Sequence, residues 1–222
     1  MIFVEMKESP DNVTITTASQ IPPEKIELFL DEVVDVEKRT WPDELQASRE
    51  KFASRLKVFP EGFIVARANG RALGVSTAQI TFYDPSKSPT WDELTDSGFL
   101  MKSHNKDGDA LYVASVGVAA DSQGIGIGGK LVESQKELAK KLGLKYLFLG
   151  ARIPGFDAYC KEHGEISAEE YLALKNEKGE PVDPEIRFYS RQGLIPTKLI
   201  PNFEPDDQSR GYGVTMVWEN KK

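Results

Sequence analysis

Apolar residues alternate with threonines from Val13 to Ala18, a period of two that predicts a strand. Ile26, Phe29, Leu30, Val33 and Val34 then recur at helical spacing and predict a helix from Glu24 to Lys38, entered through Pro22-Pro23. A second helix is expected from Pro42 to Val58. The apolar runs Gly62 to Ala68 and Ala72 to Phe82 flank Asn69-Gly70, a pair that readily adopts the positive φ angles of a tight hairpin turn, so they are expected to be antiparallel neighbours. The run 110–118, ALYVASVGV, is nearly all apolar and reads as a strand buried on both faces. A glycine cluster follows, then a helix to about Leu142 on which Ile127, Leu131, Leu138 and Leu142 recur, then an apolar strand from Tyr146 to Leu149. From Gly155 to Pro184 the chain is polar, with helix expected around Ala168 to Lys175. A short helix from Glu185 to Gln192 precedes a closing hairpin, Thr197 to Phe203 and Tyr212 to Glu219, turned at Glu204-Pro205-Asp206-Asp207.

Antiparallel strands followed by one strand–helix–strand unit predict an α+β fold. It would be a mixed, mostly antiparallel sheet with a central parallel pair, flanked by helices. One domain over 1–222 is expected, with insertions at about 83–109 and 151–184; a polar loop as long as the first covers or shapes a site.

Composition narrows the class. At 222 residues, 40% hydrophobic and 28% charged, the chain can bury a substantial core. It has no apolar stretch of about 18 residues, so no membrane association is expected. The start MIFVEMKESP lacks a basic opening and a sustained apolar run, so no secretory leader is expected. A single cysteine, Cys160, allows no intrachain disulfide and no thiolate metal site, which points to a cytoplasmic protein without a metal. The net charge of −7 argues against a general nucleic-acid binder, yet it is unevenly spread. Residues 122–152 carry six basic and two acidic side chains.

That basic stretch contains Ser122-Gln123-Gly124-Ile125-Gly126-Ile127-Gly128-Gly129-Lys130. Glycines let a ligand approach the backbone, and the first N–H groups of the following helix have no partner of their own, so the turn suits an anion such as a pyrophosphate. The lysines read as the solvated outer face of the helix, least so Lys130 in its first turn. Gly124-x-Gly126-x-x-Gly129 formally satisfies a dinucleotide fingerprint. Against that reading, five residues separate the strand from the first glycine, antiparallel strands precede it, and no acidic residue ends the next strand.

Gln123-x-x-Gly126-x-Gly128, after the strand Val116-x-Val118 and opening a helix, resembles the pyrophosphate motif of the GNAT superfamily of acyl-CoA N-acyltransferases. Phe188-Tyr189-Ser190-Arg191-Gln192-Gly193-Leu194 looks like its second signature, a tyrosine-bearing helix ending in Gly-Phe, here Gly-Leu. Residues 150–219 are also similar to the GNAT module that some bacteria fuse to a nitrilase-like amidase, through Ala151 to Phe156, Asp183-Pro184, Gly211-Tyr212-Gly213 and Trp218, with no amidase in these 222 residues.

The resemblance implies acetyl-CoA as co-substrate and direct transfer to a primary amine of a small molecule or peptide. The pantetheine arm would pair with backbone of Ser115, Val116, Gly117 and Val118. The N–H groups of Gln123, Gly124, Ile125, Gly126, Ile127, Gly128 and Gly129, with Lys130 beside them, would hold the pyrophosphate. Tyr189 matches the general acid, since a phenol with reference pKa ~10 stays protonated at neutral pH. Where relatives place a strand Glu or His this chain offers Tyr112, which leaves Tyr112, Asp109 or a water relay as the base. That departure also motivates an alternative, a catalytically inactive CoA-binding or sensing module.

Residues 84–109 carry six acidic and three basic side chains and 155–185 nine and three, which favours a cationic acceptor. His104 and His163 read as solvated loop residues, Cys160 as an inert thiol in a polar insertion, and Trp41, Trp91 and Trp218 first of all as core. A homodimer is compatible with all of this.

Overall fold

In the computed structural model, which describes residues 12–221, the alternating stretch forms strand β1 (Thr14–Thr17) and pairs with β2 (Phe63–Ala68). β2 and β3 (Arg71–Thr81) make the expected hairpin, with Asn69 at φ 51° and Gly70 at φ 77° supplying the two left-handed positions of its turn. β2 is apolar from Phe63 to Ala66 because both its faces are covered there. Phe63 and Val65 pack with Phe29 and Val33 of helix α1 (Ile26–Thr40) and Phe52 of helix α2 (Arg49–Val58). Ile64 and Ala66 pack with Ile127 and Leu131 of helix α4 (Ile127–Lys141) on the opposite face.

β3 continues antiparallel to β4 (Ala110–Val118), and α4 carries the chain to β5 (Tyr146–Arg152), parallel to β4. The closing hairpin is β6 (Ile195–Ile200) and β7 (Gly213–Glu219), with β7 between β5 and β6. The seven strands therefore run β1-β2-β3-β4-β5-β7-β6, the mixed, mostly antiparallel sheet with one parallel pair that the element order implies. No helix among the described residues is long and apolar enough to cross a membrane.

Two local expectations change. The helix expected over 42–58 is broken: after a single tight turn at Asp43–Leu45 the chain extends, and α2 begins only after Ser48, whose hydroxyl caps Lys51 N. The extended piece is held by α1, since Glu37 Oε1 accepts from Ala47 N at 2.8 Å and Gln46 Nε2 donates to Trp41 O at 2.8 Å. The polar insertion is also more ordered than its composition suggests. It holds α5 (Phe156–His163) and α6 (Ala168–Ala173), which bury Phe156, Cys160 and Tyr171 in the main core, so Cys160 is a core residue. The loop 83–109 contains one short helix, α3 (Trp91–Thr95), and α7 (Pro184–Arg191) precedes β6.

The parallel pairing of β4 and β5 lasts only three residues, Ala110–Tyr112 against Tyr146–Phe148. Beyond it the strands part. On β4, Thr77 faces Ser115 while Ala78 faces Val113, so Ala114 is an extra, bulged residue that bends the strand. On β5, Gly150 leaves room for the buried ring of Phe203, which a Cβ there would overlap. Gly150→Ala should therefore cost about 1–3 kcal/mol of stability by overpacking, measured by urea denaturation, and Phe203→Leu in the same chain should recover part of the loss.

Candidate functional site

Where β4 and β5 part, two adjoining cavities open. The larger, of about 840 Å³, lies over the glycine-rich turn and is lined there by Val116, Val118, Gln123, Gly124, Gly126, Ile127, Gly128 and Gly129. Phe188, Tyr189 and Arg191 of α7 face them. Gly126 is the N-cap of α4 at φ 84°, a conformation that strains any residue with a Cβ. The first bond closed within the helix is Lys130 N to Gly126 O at 3.1 Å, so the N–H groups before it have no partner inside the helix. No acidic residue occupies the first turn, leaving the positive end of the helix dipole facing the cleft.

Four residues expected at this cofactor position lie outside the lining, Ser115 among them because it lines the adjoining smaller cavity. Gly117 lets Thr40 and Trp41 approach β4, Ile125 joins the apolar cluster beside Ile15, and Lys130 Nζ donates to Val13 O at 3.4 Å. The basic surplus of 122–152 is largely spent internally. Lys136 binds Glu133 Oε2 at 2.8 Å and Gln192 O at 3.3 Å, and Lys140 binds Glu137 Oε1 at 2.6 Å. Both ammonium groups lie over the Trp218 ring, so these lysines clamp α4 to the C-terminal half of the sheet.

The smaller cavity, of about 230 Å³, shares Trp41, Val116, Arg152, Glu185 and Tyr189 with the cleft. Glu185 sits in the first turn of α7, which is capped by Asp183 through Glu185 N at 2.9 Å and Ile186 N at 3.1 Å. Asp183 is itself held from the insertion by Gly155 N at 3.1 Å and the Tyr171 hydroxyl at 3.2 Å. Glu185 Oε1 accepts from Arg152 N at 3.1 Å, and the Arg152 guanidinium, 4.9 Å from the Trp41 ring, binds Asp206 Oδ2 at 3.1 Å. Burial pushes the Glu185 carboxyl up to about 7, against the lowering effect of Arg152. Burial and the Glu185 charge hold the Tyr189 phenol well above its ordinary range.

Glu204 also lines the smaller cavity and is pushed up to about 7, first by burial and then by Asp206, Asp92 and Glu37, with Arg152 opposing. Glu37 is 3% exposed and its pKa is likewise raised by burial.

Of the two tyrosines expected to be catalytic, the fold brings Tyr189 to the shared wall and leaves Tyr112 fully buried between Leu100, Phe148 and Val217, lining neither cavity. Asp109 is engaged elsewhere, accepting from Tyr83 N at 3.2 Å. His104 is half-buried instead of solvated: Nδ1 accepts from Ile80 N at 3.3 Å, its ring rests on Phe59, and burial lowers its pKa. His163 is exposed and stacked on Tyr159. Trp41 and Trp91 line the smaller cavity.

The acidity of that cavity comes only in part from where the loop charges suggest. Of the carboxylates in 155–185 only Glu185 lines it, and of those in 84–109 only Asp92. Asp157 and Glu165 pair with Arg210, and Glu180 with Arg191. Glu37, Glu185 and Glu204 are the residues that sequence reasoning missed. Glu37 had a signal, since it falls four residues after Val33 on the apolar face of α1. Among the described residues no group of His, Cys, Asp and Glu is arranged to hold a metal ion.

A model of the acetyltransferase (GNAT) family matches residues 27–159. The chain is 38% identical over 181 residues to the uncharacterized N-acetyltransferase YkwB of Bacillus subtilis (strain 168), covering 81% of this chain and 78% of that one. It is 33% identical over 193 residues to the probable hydrolase YhcX of the same organism, a match that takes 86% of this chain and 37% of the longer protein. The loading GNATL domain of CurA from Lyngbya majuscula has the same fold at TM-score 0.77 and 20% identity, over 93% of this chain and 97% of that one. The GphF GNAT-like decarboxylase in complex with isobutyryl-CoA follows at 0.73 and 21%, over 93% and 98%.

A carboxyl raised in the folded state contributes its stability below its unfolded pKa of about 4.5 and loses it as pH climbs through about 7. Wild type should therefore lose about 1–3 kcal/mol relative to Glu204→Gln between pH 5 and pH 8, measured by urea denaturation of both chains at each pH.

Proposed function

The chain belongs to the GNAT family of acetyltransferases, and on that premise we propose that it moves an acetyl group from acetyl-CoA to a primary amine of a small molecule or peptide. One observation carries this reading: Trp41, Val116, Arg152, Glu185 and Tyr189 border both the cleft over the glycine turn and the acidic cavity beside it. A donor laid in the first and an acceptor in the second would meet at that wall, which converts an encounter in solution into a positioned one.

The chain's own residues fit the donor. The helix start at Gly126 to Gly129 offers unbonded N–H groups and a positive dipole to a pyrophosphate. Ser115 to Val118, beyond the reach of β5, offer strand backbone to a pantetheine arm. The acidic cavity favours an acceptor that arrives with positive charge.

Acetyl-CoA supplies a thioester whose C–S bond breaks as the amine nitrogen forms a C–N bond. Glu185, with its pKa near 7, takes the proton the nitrogen loses. Tyr189 donates its phenolic proton to the departing sulfur. Burial keeps that proton in place beforehand, and the same burial makes a thiolate formed beside it more basic. Glu185 then returns its proton to Tyr189, and both residues end as they began.

Thiol release from acetyl-CoA, followed across a panel of amines, tests the reading. Tyr189→Phe should lower kcat by about 10²-fold or more while leaving the Kd for CoA unchanged. Tight CoA binding without turnover on any amine would instead mark a CoA-binding module without catalysis. Stabilisation by NAD or NADP in place of CoA would end the acyl-CoA reading altogether.

A further inference from the structure

The carboxylates of the smaller cavity fall into two groups. Glu185 borders the cleft beside Tyr189, whereas Glu37, Glu44, Asp92 and Glu204 line the cavity without reaching the cleft. The second group is assembled from α1, the segment after it, α3 and the β6–β7 connection, parts of the chain far apart in sequence. Glu37 is the most deeply placed. Its Oε1 is taken by Ala47 N, and its Oε2 is buried in the cavity wall with no hydrogen-bond partner.

The cations nearby offset this charge only in part, Arg55 by attracting Glu37 and Arg152 by attracting Glu204, and neither donates a hydrogen bond to Glu37 or Glu204. Arg55 donates to Gly98 O at 2.8 Å and to the Thr77 hydroxyl at 3.2 Å, and it attracts Glu37 without bonding it. Arg152 is engaged by Asp206 and Glu185. Lys51 lies against the Trp91 ring at 5.9 Å. The reacting amine cannot offset the remainder, because a nitrogen that attacks a carbonyl must be neutral and must sit at the Tyr189 end.

We propose that Glu37, Asp92 and Glu204 form a subsite for a second, unreacting positive charge, so that the acceptor is a diamine, a polyamine or another dication of that size. The proposal rests on the amine-acceptor reading and specifies its substrate. One amine reacts at the shared wall while the other, as an ammonium, rests on the buried Glu37 Oε2 and on Glu204. A charge-assisted bond in such a place discriminates strongly against an acceptor that lacks the second group.

The test compares 1,4-diaminobutane and 1,5-diaminopentane with butylamine, pentylamine and 6-aminohexanoate as acceptors for acetyl-CoA. Each diamine should exceed its monoamine in kcat/KM by about 10- to 100-fold, with 6-aminohexanoate no better than the monoamines. Glu204→Gln and Glu37→Gln should each bring the diamine-to-monoamine ratio toward one. Equal use of diamines and monoamines, a preference for 6-aminohexanoate, or a diamine preference that survives both substitutions would overturn the subsite. The wild-type comparison decides even if a variant fails to fold. If no amine accepts acetyl at all, the acetyltransferase reading fails instead; calorimetric binding of the same diamines and monoamines to the CoA-loaded protein then decides the subsite alone.

Discussion

Two parallel strands that pair for three residues and then part impose a debt on everything around them: the backbone groups they release must find other partners. In this protein the partners are side chains, and those side chains are the walls of the site. The carbonyl of Ala114, at the bulge, takes the indole N–H of Trp91 at 3.0 Å. Past the end of the paired segment, Arg152 N is bound by Glu185 and Ile153 N by the Ser209 hydroxyl at 3.0 Å. Trp91 and Glu185 therefore stand where they do because the sheet needs them there.

The same arrangement sets the electrostatics. Carboxylates recruited to a space between strands lose water, and burial is the largest influence on Glu37, Glu185 and Glu204 alike. Arg152 tempers two of them but is divided between Asp206 and Glu185. Glu185 and Glu204 consequently change charge near neutrality, beside a phenol that does not. The proposed proton acceptor Glu185 and proton donor Tyr189 thus differ through their surroundings as much as through their chemistry.

The mixed sheet with its one parallel pair was legible because its signals are local or directional, whereas the place of β7 between β5 and β6 was not forecast. The Asn69-Gly70 turn, the doubly apolar run 110–118 and the single crossover helix leave few ways to connect the strands. The glycine turn was legible for a similar reason, since positive φ at Gly124 and Gly126 requires glycine at alternate positions. The acidic cavity was hidden because its members meet only in three dimensions. Net loop charge pointed to 155–185, where most carboxylates pair with Arg210, Arg191 and Lys161 or cap helices. Glu204 read only as part of a hairpin turn. The break in the helix expected over 42–58 had a local sign, Ser48 as a cap, but its cause is the tertiary bond from Glu37 to Ala47.

Asp183 joins the insertion to the site: one of its oxygens accepts from Gly155 N and Tyr171 OH, the other from the first turn of α7, the helix that carries Glu185 and Tyr189. The segment 155–183 thus works as a bracket bolted to the back of the reactive wall. A minimal version of this domain cannot be made by trimming it to a short loop, because the cut would free the helix that holds Glu185 and Tyr189. Grafting a new acceptor preference onto the fold has more room at the β6–β7 connection, which contributes Glu204 to the cavity without carrying either group.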